Sequence, residues 1–477
     1  MAALGLDKII AVAGAGAMGS GIAQVAAHAG HQVLLFDSVP GAALKGHQRI
    51  AAGLEGQVSR GKMTREAADA LVGRVHVAEN LDQFSKASLC IEAIVERMDI
   101  KHALFNEMEY RVGPEVILAS NTSSLSLTAL ARGLKHPERV VGMHFFNPAP
   151  VMKLVEVISG AATDPAIAEV TAATARAWGK VAVHARSTPG FIVNRVARPF
   201  YAEALRLFEE GCADAATLDA LMVEGAGFRM GPFALMDLIG HDVNFAVTNA
   251  VFNAYHQDPR YRPSLVQQEW VDAGWLGRKS GRGVFSYAPD ASMPAPRSEA
   301  SEIEGSLQPF DAALVQHEGV IVARTDGRTA ARRACDSGQP VILYDAMTGE
   351  GGKRVALTAS PDVDAAHWRA VVGKFRSLGL AVSRISDLPG MVVMRTIAMI
   401  VNEGFEAALC QVATPEDIDQ AMKLGVNYPR GPFDWAQEFG CGQVLAVLDA
   451  IHAATGDPRY RASLGLRHAA DLVRLQG

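Results

Sequence analysis

Lys8-Ile-Ile-Ala-Val-Ala13, running straight into Gly14-Ala-Gly16-Ala-Met-Gly19, is the stretch that decides the fold class. The first part is apolar on both faces, as a buried parallel strand requires. The second is a GxGxxG turn. Ser20 to Gly30 has helical character, and Gln32-Val-Leu-Leu-Phe-Asp37 reads as a second strand ending in an acid, 18 residues after Gly19 (37 − 19). Each part has a physical task. Gly14 allows a tight turn, Gly16 lets backbone approach a pyrophosphate, and Gly19 lets helix and strand pack closely. The helix N-terminus favours the anion, and Asp37 accepts from ribose hydroxyls. A bare GxGxxG is weak, and a glycine-rich connector in another α/β domain would show one too. Here strand, helix, second strand and acid follow in order. Asp37 would repel a 2′-phosphate, and Ser38-Val39-Pro40 offers no arginine to attract one, so the predicted cofactor is NAD rather than NADP.

Downstream, Glu115-Val-Ile-Leu-Ala-Ser120 reads as a strand feeding the polar turn Ser120-Asn-Thr-Ser-Ser124. Val140-Val-Gly-Met-His144 is another strand, and it delivers His144 to its C-terminal end, where open α/β sheets bind ligands. Glu156 lies in the strand-like Lys153-Leu-Val-Glu-Val-Ile158, so a His144–Glu156 contact has to be tertiary. Oxidising a secondary alcohol needs a base for the hydroxyl proton while hydride departs. Histidine titrates near working pH, and a carboxylate fixes its tautomer. A single histidine at a strand end is often structural, and a Ser-Ser pair is often only a turn.

The whole chain sets the frame. At 477 residues, three or four domains are expected rather than one compact core. The composition, 49% hydrophobic and 20% charged with net charge −6, is that of a soluble protein with no electrostatic pull toward nucleic acid. Cys90, Cys212, Cys335, Cys410 and Cys441 are scattered, without a CxxC pair or metal-like cluster, which fits reduced thiols in the cytoplasm and no bound metal. Strand-like sequence begins within about eight residues of the start, too soon for a signal peptide. No run approaches the roughly 20 apolar residues of a membrane span.

The ordered set GAGAMG, Asp37, EAIVE (Glu92 to Glu96), SNTSS, HFFNPAPVMKLVEV (His144 to Val157) and GFIVNR (Gly190 to Arg195) resembles L-3-hydroxyacyl-CoA dehydrogenase from residue 5 to about 290. The resemblance implies a Rossmann-type α/β domain followed by an all-helical domain like the C-terminal domain of 6-phosphogluconate dehydrogenase, with acyl-CoA as substrate. It makes His144 the general acid/base and Glu156 its partner. Ser123 and Asn194 hold the substrate oxygen, and Glu96 and Lys101 lie near the nicotinamide ribose. Met18 and Asn121 join Gly14, Gly16, Gly19 and Asp37 as cofactor positions. Part of the CoA site comes from a helical hairpin, here about residues 42 to 75, whose cations Arg49, Arg60 and Lys62 could meet phosphates; a solvated helix face explains them equally well.

Residues 186 to 290 recur as a degenerate second copy. An offset of 200 pairs Gly179 with Gly379, Pro189-Gly190 with Pro389-Gly390 and Arg195 with Arg395. It also pairs Asp219 with Asp419 and Gly231-Pro-Phe233 with Gly431-Pro-Phe433; after a one-residue slip, Asp258-Pro-Arg-Tyr-Arg262 recurs as Asp457-Pro-Arg-Tyr-Arg461. The chemistry is lost: His144 faces Tyr344, Glu156 faces Ala356 and Asn194 faces Met394, with no second GxGxxG. The expected organisation is a Rossmann domain (1–185), helical copy 1 (186–290), a linker (291–308), a partial Rossmann-like segment (309–385) with strands near Val320, Val341 and Val355, and helical copy 2 (386–477). Short family members dimerise through their helical domains, so the resemblance suggests either a homo-oligomer or an intrachain pseudo-dimer of the two copies.

Duplicated chains of this length resemble the form that oxidises 3-hydroxyadipyl-CoA in phenylacetate catabolism, a β-oxidation-like step on a substrate with a distal carboxylate. Arg198 stands four positions after Asn194, one helical turn on, where it could meet such a carboxylate; an arginine on an exposed surface or in a structural ion pair is the alternative. Three competing readings remain. The first is a short-chain 3-hydroxybutyryl-CoA dehydrogenase. The second is a β-hydroxyacid dehydrogenase, which uses a catalytic lysine and lacks the HFFNP segment. The third is a non-catalytic NAD-binding relative, which should have lost one of Ser123, His144, Glu156 or Asn194. A fused enoyl-CoA hydratase is not expected, because the sequence opens on the nucleotide strand.

Overall fold

The computed structural model describes residues 1–300, 314–317, 319–348 and 352–476. Its first sheet has eight strands: β1 (Ile9–Ala13), β2 (Val33–Phe36), β3 (Val75–Val77), β4 (Ala87–Glu92), β5 (Ile117–Ser120), β6 (Val140–Phe145), β7 (Leu154–Ser159) and β8 (Val181–Arg186). They lie in the order β3-β2-β1-β4-β5-β6-β7-β8. All neighbours are parallel except β6 and β7. β1, β4, β5 and β6 are buried along almost their whole length, so their sequences are near-continuous apolar runs. Ile10, Val12, Leu35 and Ile91 pack with Ile22 of the helix Ala17–Ala29 in one core. The register Ala13 opposite Glu92 opposite Ser120, with β6 alongside, brings the glycine turn, Glu92, the SNTSS turn and His144 to one edge of the sheet.

The second sheet has five strands, β9 (Leu314–His317), β10 (Val320–Arg324), β11 (Val341–Tyr344), β12 (Arg354–Ala359) and β13 (Ala381–Arg384), in the order β13-β12-β11-β10-β9. The strands expected near Val320, Val341 and Val355 are β10, β11 and β12. β10 to β13 repeat the order and directions of β5 to β8, including the antiparallel step, here β11 against β12. Among the described residues β1 to β4 have no counterpart, so the missing part is the half that carries the glycine turn. The expected linker is only partly a free strand of chain. Glu299 donates its N–H to the Val382 carbonyl, and the Ser383 hydroxyl donates to the Arg297 carbonyl. Residues 301–308 of that linker lie outside the described residues.

The chain divides into two compact units, Met1–Asn194 with Gln411–Val426, and Arg195–Cys410 with Asn427–Gly477. Within the second unit the two helical copies meet through a reciprocal, buried set of charges. Arg195 Nε lies 2.5 Å from Glu403, which also accepts from Tyr261. The mirror set has Arg395 Nε 2.9 Å from Glu203, which accepts from Tyr460. Such buried ions are tolerated because each is paired and further hydrogen-bonded.

The copies also exchange a segment. In the first unit, Arg186 at the end of β8 donates its N–H to Val412 O at 2.8 Å. In the second, Ser386 donates to Cys212 O at 3.0 Å, the same bond displaced by 200 residues at both ends. The helix Pro415–Gly425 of copy 2 thus packs on β7 and β8, while the Leu221–Gly225 turn of copy 1 packs on β12. Among the described residues no helix is long and apolar enough to cross a membrane.

Candidate active site

β6 and β7 place His144 directly opposite Glu156. His144 Nδ1 lies 2.6 Å from Glu156 Oε2, and both side chains are buried. A proton on Nδ1 is held by the carboxylate, which leaves Nε2 with the lone pair that can accept a proton. The imidazole is walled by Phe146, with ring centroids 4.6 Å apart, and by Phe191 at 5.9 Å.

The second oxygen of Glu156 has a task that the sequence does not announce. Oε1 accepts the backbone N–H groups of Ile192 (3.1 Å) and Val193 (3.0 Å), at the start of the turn of helix that carries Asn194. One carboxylate therefore orients the base and anchors the segment bearing Asn194. Asn194 Nδ2 in turn lies 3.4 Å from the Ser123 carbonyl. All four predicted catalytic residues are thus tied together in one unit. Phe191 reaches this arrangement with φ at +47°, in the left-handed region that costs a non-glycine residue energy. Met391, its counterpart in copy 2, has φ at +56°, so the strain belongs to this way of starting the helix and not to the chemistry.

The SNTSS turn is organised by Glu96. One of its oxygens accepts from the hydroxyls of Thr122 (2.7 Å), Ser123 (3.2 Å) and Ser124 (3.1 Å) and from the N–H groups of Ser123 and Ser124. Burial pushes Glu96 up, but Lys101 and the Thr122 and Ser123 hydrogen bonds outweigh it and hold the carboxyl below its usual range. Lys101 Nζ lies 3.2 Å from Glu96 and 2.5 Å from the fully buried Glu92, which also accepts from the Ser120 hydroxyl. Glu92 and Ser120 are site-supporting residues that motif matching left without a role. Their polar character at the ends of strands otherwise apolar was the available signal. Asn121 Oδ1 accepts from the Phe145 N–H at 2.8 Å, pinning the strand end beside His144.

At the nucleotide end, Gly14 has φ at +104°, and a Cβ there would stand 2.4 Å from the Ala93 carbonyl oxygen. A Cβ at Gly19 would stand 1.7 Å from the Gly14 carbonyl oxygen. A Cβ at Gly16 would meet no atom within 4 Å, so the glycine there keeps the backbone at the N-terminus of Ala17–Ala29 bare on its outer side. Asp37 accepts from Ala15 N (2.7 Å) and Val39 N (2.9 Å), fixing the turn against the end of β2. These residues suit a pyrophosphate at a helix N-terminus and a ribose beside an acid. Met18 is partly buried against the first core.

The cations expected at CoA phosphates separate. Arg49, on the helix Ala42–Val58, turns back to donate to Ala15 O and Ser20 Oγ, both at 3.2 Å, so it braces the glycine turn. Arg60 and Lys62 are exposed in the loop before the helix Arg65–Val72. Arg198, in the second unit, is 6% exposed. It donates to Thr248 Oγ1 at 3.2 Å and lies 4.9 Å from the Tyr201 ring centre. It lines a cavity of about 300 Å³ with Tyr201, Asn244, Thr248 and Gln267. Burial pulls its pKa below the usual arginine range, only partly offset by Tyr201 and Tyr428.

Comparison with known proteins covers nearly the whole chain. A family model described as "3-hydroxyacyl-CoA dehydrogenase, NAD binding domain" matches residues 9–188. "3-hydroxyacyl-CoA dehydrogenase, C-terminal domain" matches twice, at 190–287 and 390–477. "3-hydroxybutyryl-CoA dehydrogenase reduced Rossmann-fold domain" matches 322–389. The chain is 43% identical over 468 residues to the 3-hydroxyadipyl-CoA dehydrogenase of Escherichia coli (strain K12), covering 97% of each. It is 43% identical over 280 residues to a probable 3-hydroxybutyryl-CoA dehydrogenase of Bacillus subtilis (strain 168), covering 59% of this chain and 97% of the relative. A crystal structure of 3-hydroxybutyryl-CoA dehydrogenase from E. coli K12 superposes with a TM-score of 0.96 at 42% identity, covering 99% of this chain and 100% of that one.

Proposed function

Since the chain belongs to the 3-hydroxyacyl-CoA dehydrogenase family, an NAD-dependent group acting on acyl-CoA, we propose that it oxidises (S)-3-hydroxyacyl-CoA whose acyl chain ends in a carboxylate, 3-hydroxyadipyl-CoA in the first place. The observation that carries the reaction is the His144–Glu156 pair at 2.6 Å, joined to Asn194 through the second Glu156 oxygen. His144 Nε2 takes the hydroxyl proton. Glu156 holds the ring in the tautomer that can do so and stabilises the imidazolium that results. With substrate bound, the Ser123 hydroxyl turns from Glu96 to donate, with the Asn194 amide, to the substrate oxygen, and Glu96 keeps the turn in place through the Ser123 and Ser124 backbone N–H groups. Gly14, Gly16, Gly19 and Asp37 hold NAD, which supplies the hydride acceptor when bound.

Three things support the distal-carboxylate reading. A relative named for the adipyl substrate matches along 97% of its length. Arg198 stands four positions after Asn194 in the sequence. The Arg198 guanidinium also lines a cavity beside Tyr201 and Thr248, and its planar fork is suited to meeting a carboxylate there bidentately. Arg198→Ala should cut kcat/KM on 3-hydroxyadipyl-CoA at least 30-fold while 3-hydroxybutyryl-CoA loses less than threefold. Equal losses on both would remove the assignment and favour the short-chain reading. The reciprocal Arg195–Glu403 and Arg395–Glu203 contacts support reading the second copy as an internal substitute for a dimer partner.

A further inference from the structure

The second copy carries neither a glycine turn nor a counterpart of His144, Glu156 or Asn194, yet one of its helices sits on the catalytic sheet. Pro415–Gly425 packs on β7 and β8 in the first unit. At its start, Asp417 Oδ2 accepts the His184 N–H at 3.1 Å. Its last residue is Gly425, where an ideal Cβ would stand 2.7 Å from Leu154 Cδ2, 3.0 Å from Val193 Cγ2 and 3.5 Å from Phe146 Cε1. Each of these neighbours adjoins one catalytic group. Leu154 shares a face of β7 with Glu156, two residues on. Phe146 lies tilted against the His144 ring, with centroids 4.6 Å apart. Val193 precedes Asn194 and donates its N–H to Glu156.

We propose that the copy-2 helix Pro415–Gly425 is a positioning element of the active site, and that the bare backbone of Gly425 sets the mutual placement of His144, Glu156 and Asn194. On this view the duplicated part closes the back of the catalytic constellation. The proposal rests on the catalytic roles given above.

The fold supplies its own control. Gly225, the counterpart of Gly425 in copy 1, makes the mirror-image approach to the second sheet. A Cβ there would stand 3.0 Å from Arg354 O and 3.7 Å from Val393 Cγ2. That contact is against backbone, which yields less readily than the tip of a leucine, but it lies beside no catalytic residue. Overpacking should therefore separate stability from catalysis. Gly425→Ala pushes on Val193 and Leu154, and since a misplacement of about 1 Å at reacting groups can cost about 10²-fold in rate, a shift of about half that is worth about tenfold.

The test compares Gly425→Ala, Gly225→Ala and the double variant Leu154→Ala/Gly425→Ala in the full chain, reading kcat with 3-hydroxyacyl-CoA, NADH affinity by fluorescence, and Tm. Gly425→Ala should lower kcat about tenfold with NADH affinity unchanged. Gly225→Ala should lower Tm with kcat within twofold of the parent. Leu154→Ala should restore at least part of the kcat lost in Gly425→Ala by making room. Asp417→Ala, which loosens the same helix without overpacking it, should lower kcat several-fold. The proposal is overturned if Gly425→Ala keeps the parent kcat, or if both glycine variants lose kcat equally. A failure of the catalytic reading itself would look different: His144→Gln would then retain turnover.

Discussion

Replacing Glu156 by glutamine should separate its two tasks, and the geometry gives the size of the effect. One oxygen faces His144 Nδ1 at 2.6 Å, and the other accepts two backbone N–H groups at 3.0 and 3.1 Å. A glutamine has one oxygen. If it stays on the N–H groups of Ile192 and Val193, the amide NH₂ faces His144 and forces the proton to Nε2, the wrong tautomer for a base. If it turns to His144, the NH₂ faces two donors in a buried site. The first arrangement is favoured, since it leaves no buried donor against a donor. The lost charge-assisted bond is about 1.5–3 kcal/mol, or roughly 10- to 100-fold in rate, and the wrong tautomer adds about another factor of ten. Glu156→Gln should thus lower kcat by about 10² to 10³, measured as NADH formation at saturating substrate, with NADH affinity retained. Asp345 provides the comparison. It lies just past β11 and caps the copy-2 helix through Val392, Val393 and Met394 N–H groups, with no histidine partner among the described residues. Asp345→Asn should lower Tm and leave kcat unchanged. A Glu156→Gln enzyme within threefold of the parent kcat would refute the reasoning, because the carboxylate would then be a helix anchor and nothing more.

Further outcomes follow from the same geometry. His144→Gln should reduce turnover by more than 10³ while NADH still binds, read by fluorescence titration; loss of NADH binding would make His144 structural. Burial pushes Asp219 up to about 7 and Asp345 up to about 6, from an ordinary value near 3.8. An acid whose pKa is raised in the folded state stabilises it fully only below the unfolded value, and that contribution is lost as pH rises through the folded one. Calorimetric Tm should therefore fall between pH 5 and pH 8, and a Tm that rises across this window would contradict the burial argument. Glu403→Gln removes the carboxylate shared by Arg195, Arg260 and Tyr261, and leaving buried cations without it should cost about 3 kcal/mol or more. An unchanged denaturation midpoint would show that the reciprocal charge set does not hold the two copies together.

The parts of the fold legible in the sequence are those fixed by local sterics. Gly14 and Gly19 are glycines because carbonyl oxygens occupy their Cβ positions, and such constraints write themselves into a motif. The His144–Glu156 contact was legible as a tertiary one because both residues lie in short apolar strands, and β6 and β7 proved to be neighbours in register. What stayed hidden depends on which oxygen points where. The capping of Ile192 and Val193 by Glu156, and the bracing of the glycine turn by Arg49, leave no trace in spacing. The offset comparison pairs Glu156 with Ala356, yet the residue that performs its anchoring task in copy 2 is Asp345, on a different strand end. An index-by-index alignment cannot show a function moved to a neighbouring element. The exchange of Pro415–Gly425 onto the first sheet was hidden for a related reason: the repeat identifies the two copies but not which sheet each helix meets.

The most direct measurement is NADH formation by the purified full-length protein with 3-hydroxyadipyl-CoA and 3-hydroxybutyryl-CoA side by side. The account predicts turnover on both, with kcat/KM for the adipyl substrate higher by at least tenfold. A preference for the butyryl substrate would contradict the distal-carboxylate assignment, and no NADH from either would contradict the proposed catalytic roles of His144, Glu156, Ser123 and Asn194.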